Sequence, residues 1–299
     1  MFNKQSKRLN LIDAALILVG IIAASAFFTR MGQVLDYQWN WKAIPGFFAY
    51  IDPSTGALET NVLLDGFILT LKISFWASFL AFFIGVVSGV MGAKGSFIQR
   101  FLSRTYVESI RNIPSLVLVI IFYYFISSQF LEAIDLESWV RSRSESFRHL
   151  VEVLFIRESY LNSFISAITA LAIYEGAYVS EIIRGGIEGI SKGQWEAAYS
   201  LGLSGRASFF LVILPQTLRR VAFPMAGQFI SAIKDSAIVS VISIQELTFQ
   251  GMELMSATFL TFEIWITITL LYFIVTFALS QCISFLEKRF TIHRNEQSV

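Results

Sequence analysis

The chain has 299 residues, of which 55% are hydrophobic and 15% charged; it carries 29 Phe, a net charge of +1 and a mean hydropathy of +0.62. That usage lies far from a soluble domain's and fits a protein with several apolar spans. A charge so near zero excludes the polybasic footprint of a nucleic-acid partner. The single Cys282 excludes an internal disulfide or a multi-Cys metal site, and His149 and His293 stand alone, without spacing for a metal pair or a triad.

Six apolar runs are long enough to cross roughly 30 Å of hydrocarbon. The first, Leu9 to Phe28, follows Lys4, Lys7 and Arg8. Ala24-Ser25-Ala26 offers a signal-peptidase site, but the apolar core is longer than a usual signal sequence, so a retained anchor helix is expected. Residues 30–60 then form an external segment. Trp39, Trp41, Phe47, Phe48 and Tyr50 read as an interfacial aromatic belt, and Pro45-Gly46 and Asp52 to Gly56 read as turns.

The second run, Asn61 to about Met91, carries Gly85, Gly89 and Gly92 at a spacing that lets helices approach closely. Its Lys72 lies near the outer end, placed to snorkel to the interface. The third, about Arg104 to Phe130, holds Glu108, Arg111, Asn112 and Pro114; proline cannot continue the helical ladder, so a break is expected there. Arg111 keeps its charge at depth and needs an anion. Between Leu131 and Ser159 lies an amphipathic external loop.

The fourth run, Tyr160 to Ile183, contains Glu175 near its middle, with Tyr174, Tyr178 and Glu181. Glu175 and Glu181 do not share a helix face, and Glu181 is spaced to pair with Arg184. The fifth, about Val221 to Leu247, contains Pro224, Gln228 and the adjacent Lys234 and Asp235, read as an internal ion pair at a helix irregularity. The sixth is Phe259 to Leu286, with Glu263 near its outer end.

Basic residues gather on one set of flanks: Lys4, Lys7, Arg8, then Lys94, Arg100, Arg104, then Arg184, Lys192, Arg206, Arg219, Arg220, then Lys288, Arg289, Arg294. The opposite flanks are acidic, with Asp36, Asp52, Glu59, Glu132, Asp135, Glu137, Glu145, Glu152, Glu158 and Glu253. The positive-inside rule therefore places both termini on the cytoplasmic side.

The same side receives the polar stretch Ser191 to Pro215, SKGQWEAAYSLGLSGRASFFLVILP. Ser191 and Gln194 have capping-box spacing, with good helix formers directly after them. Gly202 stands where a helix ends in a left-handed residue. Ser204 can start a second short helix, and Pro215 interrupts the apolar run after it. The expected product is a short amphipathic helix, small at Ala197 and Ala198 and anionic at Glu196, suited to a partner's groove.

Glu196-Ala197-Ala198, three residues, Gly202, nine residues, then Val212-Ile213-Leu214-Pro215 resembles the EAA loop of ABC-importer permeases. Val212 stands where that pattern usually has isoleucine. The flanks are similar to the polar amino-acid permease family, of histidine, glutamine or glutamate type: Ala177-Tyr178, Glu181, Arg184-Gly185-Gly186 and Lys192 to Trp195 upstream, Pro215-Gln216, Leu218-Arg219-Arg220 and Lys234-Asp235-Ser236 downstream. Arg111-Asn112-Ile113-Pro114 and Glu175 depart from what such permeases commonly carry.

The resemblance implies an all-α membrane protein with a five-helix type I permease core over residues 61–290. An anchor helix and external segment occupy 1–60, a coupling loop 184–220 and a cytoplasmic tail 291–299. It implies ATPase coupling through Gln194, Glu196, Ala197, Ala198, Gly202, Leu214 and Pro215. It further implies two ATP-binding-cassette subunits carrying the ATP and Mg, a second permease copy or paralogue, an external or periplasmic binding protein, and a place in the bacterial cytoplasmic membrane. No cofactor is expected in the chain itself, since no G-x-x-x-x-G-K-[ST] sequence is present to cradle phosphates, nor H-E-x-x-H or G-x-S-x-G for an enzyme.

For substrate, charge suggests a pathway through Arg111, Pro114, Glu175, Tyr178, Lys234 and Asp235. Arg111 and Glu175 either clamp the carboxylate and ammonium of a zwitterion or neutralise each other. An ion-gradient-driven transporter or channel is the alternative, supported by the intramembrane charges and broken helices.

Overall fold

A computed structural model of the chain describes residues 11–35, 37–127, 129, 131 and 134–296. Lys4, Lys7, Arg8, Asp36 and Glu132, part of the charge pattern above, lie outside the described residues, as do the side chains of His293 and Arg294. The chain divides into two compact units, Met1–Ile44 and Pro45–Val299. In the first, α1 (Leu11–Leu35) is apolar and its described side chains are exposed; Trp39 and Trp41 stack at 5.8 Å farther on.

The second unit opens with a helical turn containing Pro45 and Gly46, in place of the open turn expected there, and a two-stranded antiparallel hairpin, β1 (Ala49–Ile51) and β2 (Leu58–Thr60). The Asp52 to Gly56 turn forms as expected. Gly56 adopts φ +69°, and the Asp52 carboxylate accepts the Ser54 N–H and hydroxyl at 2.8 Å. Asn61, just past the hairpin, closes it back onto the helical turn, its Nδ2 donating to the Gly46 carbonyl at 2.7 Å.

The framework is the pairing of α2 (Val62–Lys94) with α7 (Leu161–Glu188). Glycine makes it close: a Cβ on Gly85 would overlap Val179, and one on Gly89 would meet the Ser180 carbonyl at 2.6 Å. Gly92 stands instead against Ser103 of α3 (Phe97–Asn112). The buried hydroxyls of Ser88, Ser103 and Ser180 then tie α2, α3 and α7 together, at 3.0 Å (Ser180 to Ser88) and 3.2 Å (Ser88 with Ser103).

At Pro114 the chain turns through 108° between α3 and the helix beginning at α4 (Ser115–Ile121). Proline lacks the N–H that would continue α3, so the expected break is realised as a sharp bend. An unforeseen capping box starts α3, with Ser96 and Gln99 bonding reciprocally. Beyond the bend, α5 (Leu136–Arg141) packs with α6 (Glu145–Leu154) and the start of α7, and α6 lies against the outer half of α2. Lys72 Nζ donates to the Glu152 carbonyl at 3.0 Å and Trp76 Nε1 to that of Leu154 at 3.0 Å, so Lys72 anchors α6 in the protein.

Past α7 come α8 (Lys192–Ser200), α9 (Gly205–Ser208), a wide π-type turn at Phe209–Ile213 and α10 (Leu214–Asp235). Pro215 does not interrupt this run. It sits in the first turn of α10, where its missing N–H is tolerated, and the helical path continues from Gly205 to Ile242. The fifth run thus begins well before Val221, and the polar interruption shortens to the residues around α8. After α10 the helix tightens at Ser236–Ile242, and the chain ends in α11 (Leu247–Thr258) and α12 (Thr261–Glu296).

Glu246 joins these last elements. Fully buried, its carboxylate accepts from the Phe249 N–H at 2.9 Å, the Tyr272 hydroxyl at 3.0 Å and the Thr70 hydroxyl at 3.2 Å, linking α2, α11 and α12. Among the described residues, four helices are long and apolar enough to cross a membrane, five if the bent pair at Pro114 makes one crossing.

Candidate functional site

The stretch around α8 is built as an elbow. Ala198 faces inward and is buried, whereas Glu196 and Ala197 are exposed, so the two alanines serve different faces rather than forming one small surface. Gly202, at φ +79°, donates its N–H to the Tyr199 carbonyl at 2.9 Å, and Leu203 donates to Ala198 at 3.2 Å. This is a left-handed helix stop, where a Cβ would be strained. Ser204 then caps α9 by accepting the Ala207 N–H at 3.3 Å. Glu196, Tyr199 and Leu201 are all exposed, Leu201 at 81%.

The capping box expected at Ser191 and Gln194 is absent: the Ser191 side chain makes no cap bond. Gln194 Oε1 instead accepts from Gln216 Nε2 at 3.1 Å, a tie from α8 to α10. Two further contacts brace the elbow. Lys94, the last residue of α2, places its ammonium 3.5 Å from the Trp195 ring centroid, and Arg220 Nη1 donates to the Gly189 carbonyl at 2.6 Å. Leu214 and Pro215 lie at the start of α10, beyond the wide turn, with Leu214 half-buried and Pro215 exposed.

A cavity of about 820 Å³ opens between α3 and α7. Arg100, Arg104, Glu108 and Arg111 line it from α3, with Glu108 3.7 Å from Arg104, and Tyr178 and Glu181 line it from α7. The Arg111 guanidinium lies 5.2 Å from the Tyr178 ring centroid. Arg184 is already engaged, holding Glu181 at 2.7 Å, as expected, and Glu188 at 2.6 Å. The cavity therefore presents guanidinium groups together with carboxylates that Arg104 and Arg184 already hold.

Glu175 does not face this cavity. It is 1% exposed on another side of α7, where its Oε2 accepts from Gln228 Nε2 at 2.6 Å. Neither the Arg111–Glu175 ion pair nor a clamp made by those two residues in one cavity is formed. Lys234 is exposed and Asp235 half-buried at the end of α10, where the helix tightens as foreseen; no ion pair joins them among the described residues. Asp235 lies beside Glu175 instead.

Residues 81–292 match the family model described as binding-protein-dependent transport system inner membrane component. The chain belongs to this family. Among curated relatives, the permease is 32% identical over 229 residues to a probable glutamine ABC transporter permease protein of Bacillus subtilis, a match covering 77% of this chain and 93% of the relative. It is 30% identical over 260 residues to the glutamine transport system permease protein of Escherichia coli K12, covering 86% and 100%. A solved structure titled as an amino acid ABC transporter with histidines is 31% identical with a TM-score of 0.61, covering 76% of the permease and 94% of that chain. A methionine ABC transporter structure shares the fold, with a TM-score of 0.53 at 16% identity, covering 75% and 95%.

The permease also uses groups that sequence reasoning did not assign. Lys94 and Gln216 brace the elbow, whereas in sequence Lys94 stands only among the basic flanks and Gln216 only among the residues of the family resemblance. Glu246 carried only the signal of an acid next to an apolar run; beside its own helix cap at Phe249, its partners Thr70 and Tyr272 come from helices distant in sequence.

Proposed function

We propose that the chain is one permease half of an ATP-driven importer that carries amino acids across the bacterial cytoplasmic membrane. A second copy or a paralogue supplies the other half, and an external binding protein delivers the substrate. Two separate ATPase subunits hold the ATP and Mg. In this reading α1 and five core crossings make six spans, with both termini cytoplasmic; residues 1–60 serve as an added anchor and 291–299 as a tail.

The observation that carries the proposal is the elbow: a stopped short helix with Glu196, Tyr199 and Leu201 facing outward and its inner side braced to α2, α7 and α10. A helix held this way transmits a push on its outer face to the membrane helices instead of bending alone. Closure of the ATPase pair would then rock α2 and α7 as a unit, because their glycine contact leaves no room to slide. The charged cavity at Arg111 and Tyr178, below the break at Pro114, is the proposed passage for the substrate's carboxylate and ammonium. The names of the relatives, glutamine transport among them, support an amino-acid cargo.

The test is uptake of radiolabelled amino acids into proteoliposomes holding the whole importer. Accumulation that needs ATP inside and binding protein outside supports the reading. Accumulation driven by an ion gradient without ATP would replace it with a secondary transporter.

A further inference from the structure

The cavity between α3 and α7 has two ends. Arg111 and Tyr178 stand at one; Phe97, Arg100, Phe101 and Arg104 stand at the other, by the first turns of α3. These four follow the i, i+3, i+4, i+7 spacing of a single helix face, and Arg100 lies about 16 Å along α3 from Arg111 at 1.5 Å per residue. Phe97 is 78% exposed and Phe101 61%, and Ile98 and Leu102 beside them are exposed as well, so this apolar surface is uncovered among the described residues. Acids do not balance the arginines here. Glu181 and Glu188 are held by Arg184, and Glu108 lies 3.7 Å from Arg104 in a pair exposed on both sides, which holds Arg104 weakly. No ion pair reaches Arg100 among the described residues, and Arg104, one turn on, repels it. A polar cargo gains nothing from exposed phenylalanines beside an unpaired guanidinium. Because α2 ends at Lys94 and α3 starts at Phe97, the orientation proposed above puts this surface at the cytoplasmic face of the membrane, level with its headgroups.

We infer that this surface binds an anionic phospholipid of the cytoplasmic leaflet, with its phosphate between Arg100 and Arg104 and its acyl chains along Phe97, Ile98, Phe101 and Leu102. A guanidinium grips phosphate oxygens through paired N–H donors, and two of them one turn apart offer a fork from each side. The phosphate also removes the repulsion between them. The apolar side chains beside them then meet hydrocarbon instead of water. A free phosphate would engage the arginines and leave the apolar surface bare, whereas a lipid satisfies both. The cytoplasmic leaflet is the anionic one, so the ligand is concentrated where the site is. Resting on the membrane orientation of the importer reading, the inference gives the mouth of the cavity a ligand of its own, distinct from the cargo proposed for the Arg111 end.

The test is a count, by native mass spectrometry, of lipid retained on the detergent-purified permease–ATPase complex after titration with phosphatidylglycerol or phosphatidylcholine in mixed micelles. The wild type is expected to retain phosphatidylglycerol about tenfold better or more, two cationic contacts' worth. Arg100→Gln is expected to weaken phosphatidylglycerol about fivefold, the size of one lost charge at a membrane surface, and to leave phosphatidylcholine unchanged. Arg100→Lys keeps the charge and should keep most of the preference. Phe97→Ser combined with Phe101→Ser should weaken both lipids alike, and serves if Arg100→Gln does not assemble. Equal retention of the two lipids by the wild type, or an undiminished preference in Arg100→Gln, overturns the inference. Displacement of the lipid by millimolar inorganic phosphate would overturn it too, in favour of a site for free anions. Disulfide cross-linking of Phe97→Cys between two permeases in a Cys282→Ser background would instead give the surface to a second copy. Lipid counts require no transport, so failure here is distinct from failure of the importer reading, which shows as absent ATP-dependent uptake by the wild-type transporter.

Discussion

The ammonium of Lys94 stands 3.5 Å from the centroid of the Trp195 ring, so the end of α2 rests directly on the helix that carries Glu196. Trp195 and Glu196 are neighbours in sequence, yet Trp195 is half-buried against Lys94 and Glu196 is exposed. Force on the outer face therefore reaches α2 through the Lys94–Trp195 contact. Lys94→Met keeps the apolar stem and removes the charge, a loss of about 0.5–2 kcal/mol. We expect fewer amino acids transported per ATP hydrolysed by the reconstituted importer, with permease abundance unchanged and partial recovery in Lys94→Arg.

The α2–α7 contact is set by glycine, and a side chain at Gly85 has nowhere to go but into Val179. Gly85→Leu is expected to destabilise by about 1–3 kcal/mol or more, seen as a lower unfolding temperature in detergent. Gly185→Ala, where a Cβ meets nothing within 4 Å, is the control and should match wild type.

Glu246 holds three helices from a fully buried position. Glu246→Gln retains the shape but weakens charge-assisted bonds, and about 1.5–3 kcal/mol of stability should be lost. Arginine and glutamine affinities of the surviving protein should not change. A shift in affinity without a shift in unfolding temperature would make Glu246 part of the substrate site instead.

Arg111 lines the charged cavity with its guanidinium over Tyr178. Arg111→Gln is expected to lower uptake about tenfold or more while the ATPase still co-purifies, because the cavity lies apart from the elbow. Uptake at the wild-type rate would remove Arg111 from the passage.

Local chemistry made the elbow and the break legible. Gly202 stops a helix and Pro114 breaks one by backbone geometry alone, and both do so here. The glycine spacing on α2 likewise announced a close helix contact. What the sequence concealed were choices between equal local options. Ser191 and Gln194 have the spacing of a capping box, but Gln194 bonds Gln216 instead, a partner that only the return of α10 brings near. Pro215 reads as a breaker until the wide turn at Phe209–Ile213 places it in a first turn. Arg111 and Glu175, expected at similar depth, are directed to different cavities by the rotation of α7, which no linear spacing between separate helices reveals.

The most direct measurement is co-purification of the tagged chain from its native membrane in mild detergent, with quantification of any P-loop ATPase recovered per permease. Recovery with the wild type, falling at least tenfold in Glu196→Lys and in Gly202→Val while permease abundance holds, is the predicted result. The second substitution strains the left-handed stop by about 1–2 kcal/mol and misdirects the elbow. A chain that purifies without an ATPase, or retains it equally in both variants, would contradict the elbow as the coupling element.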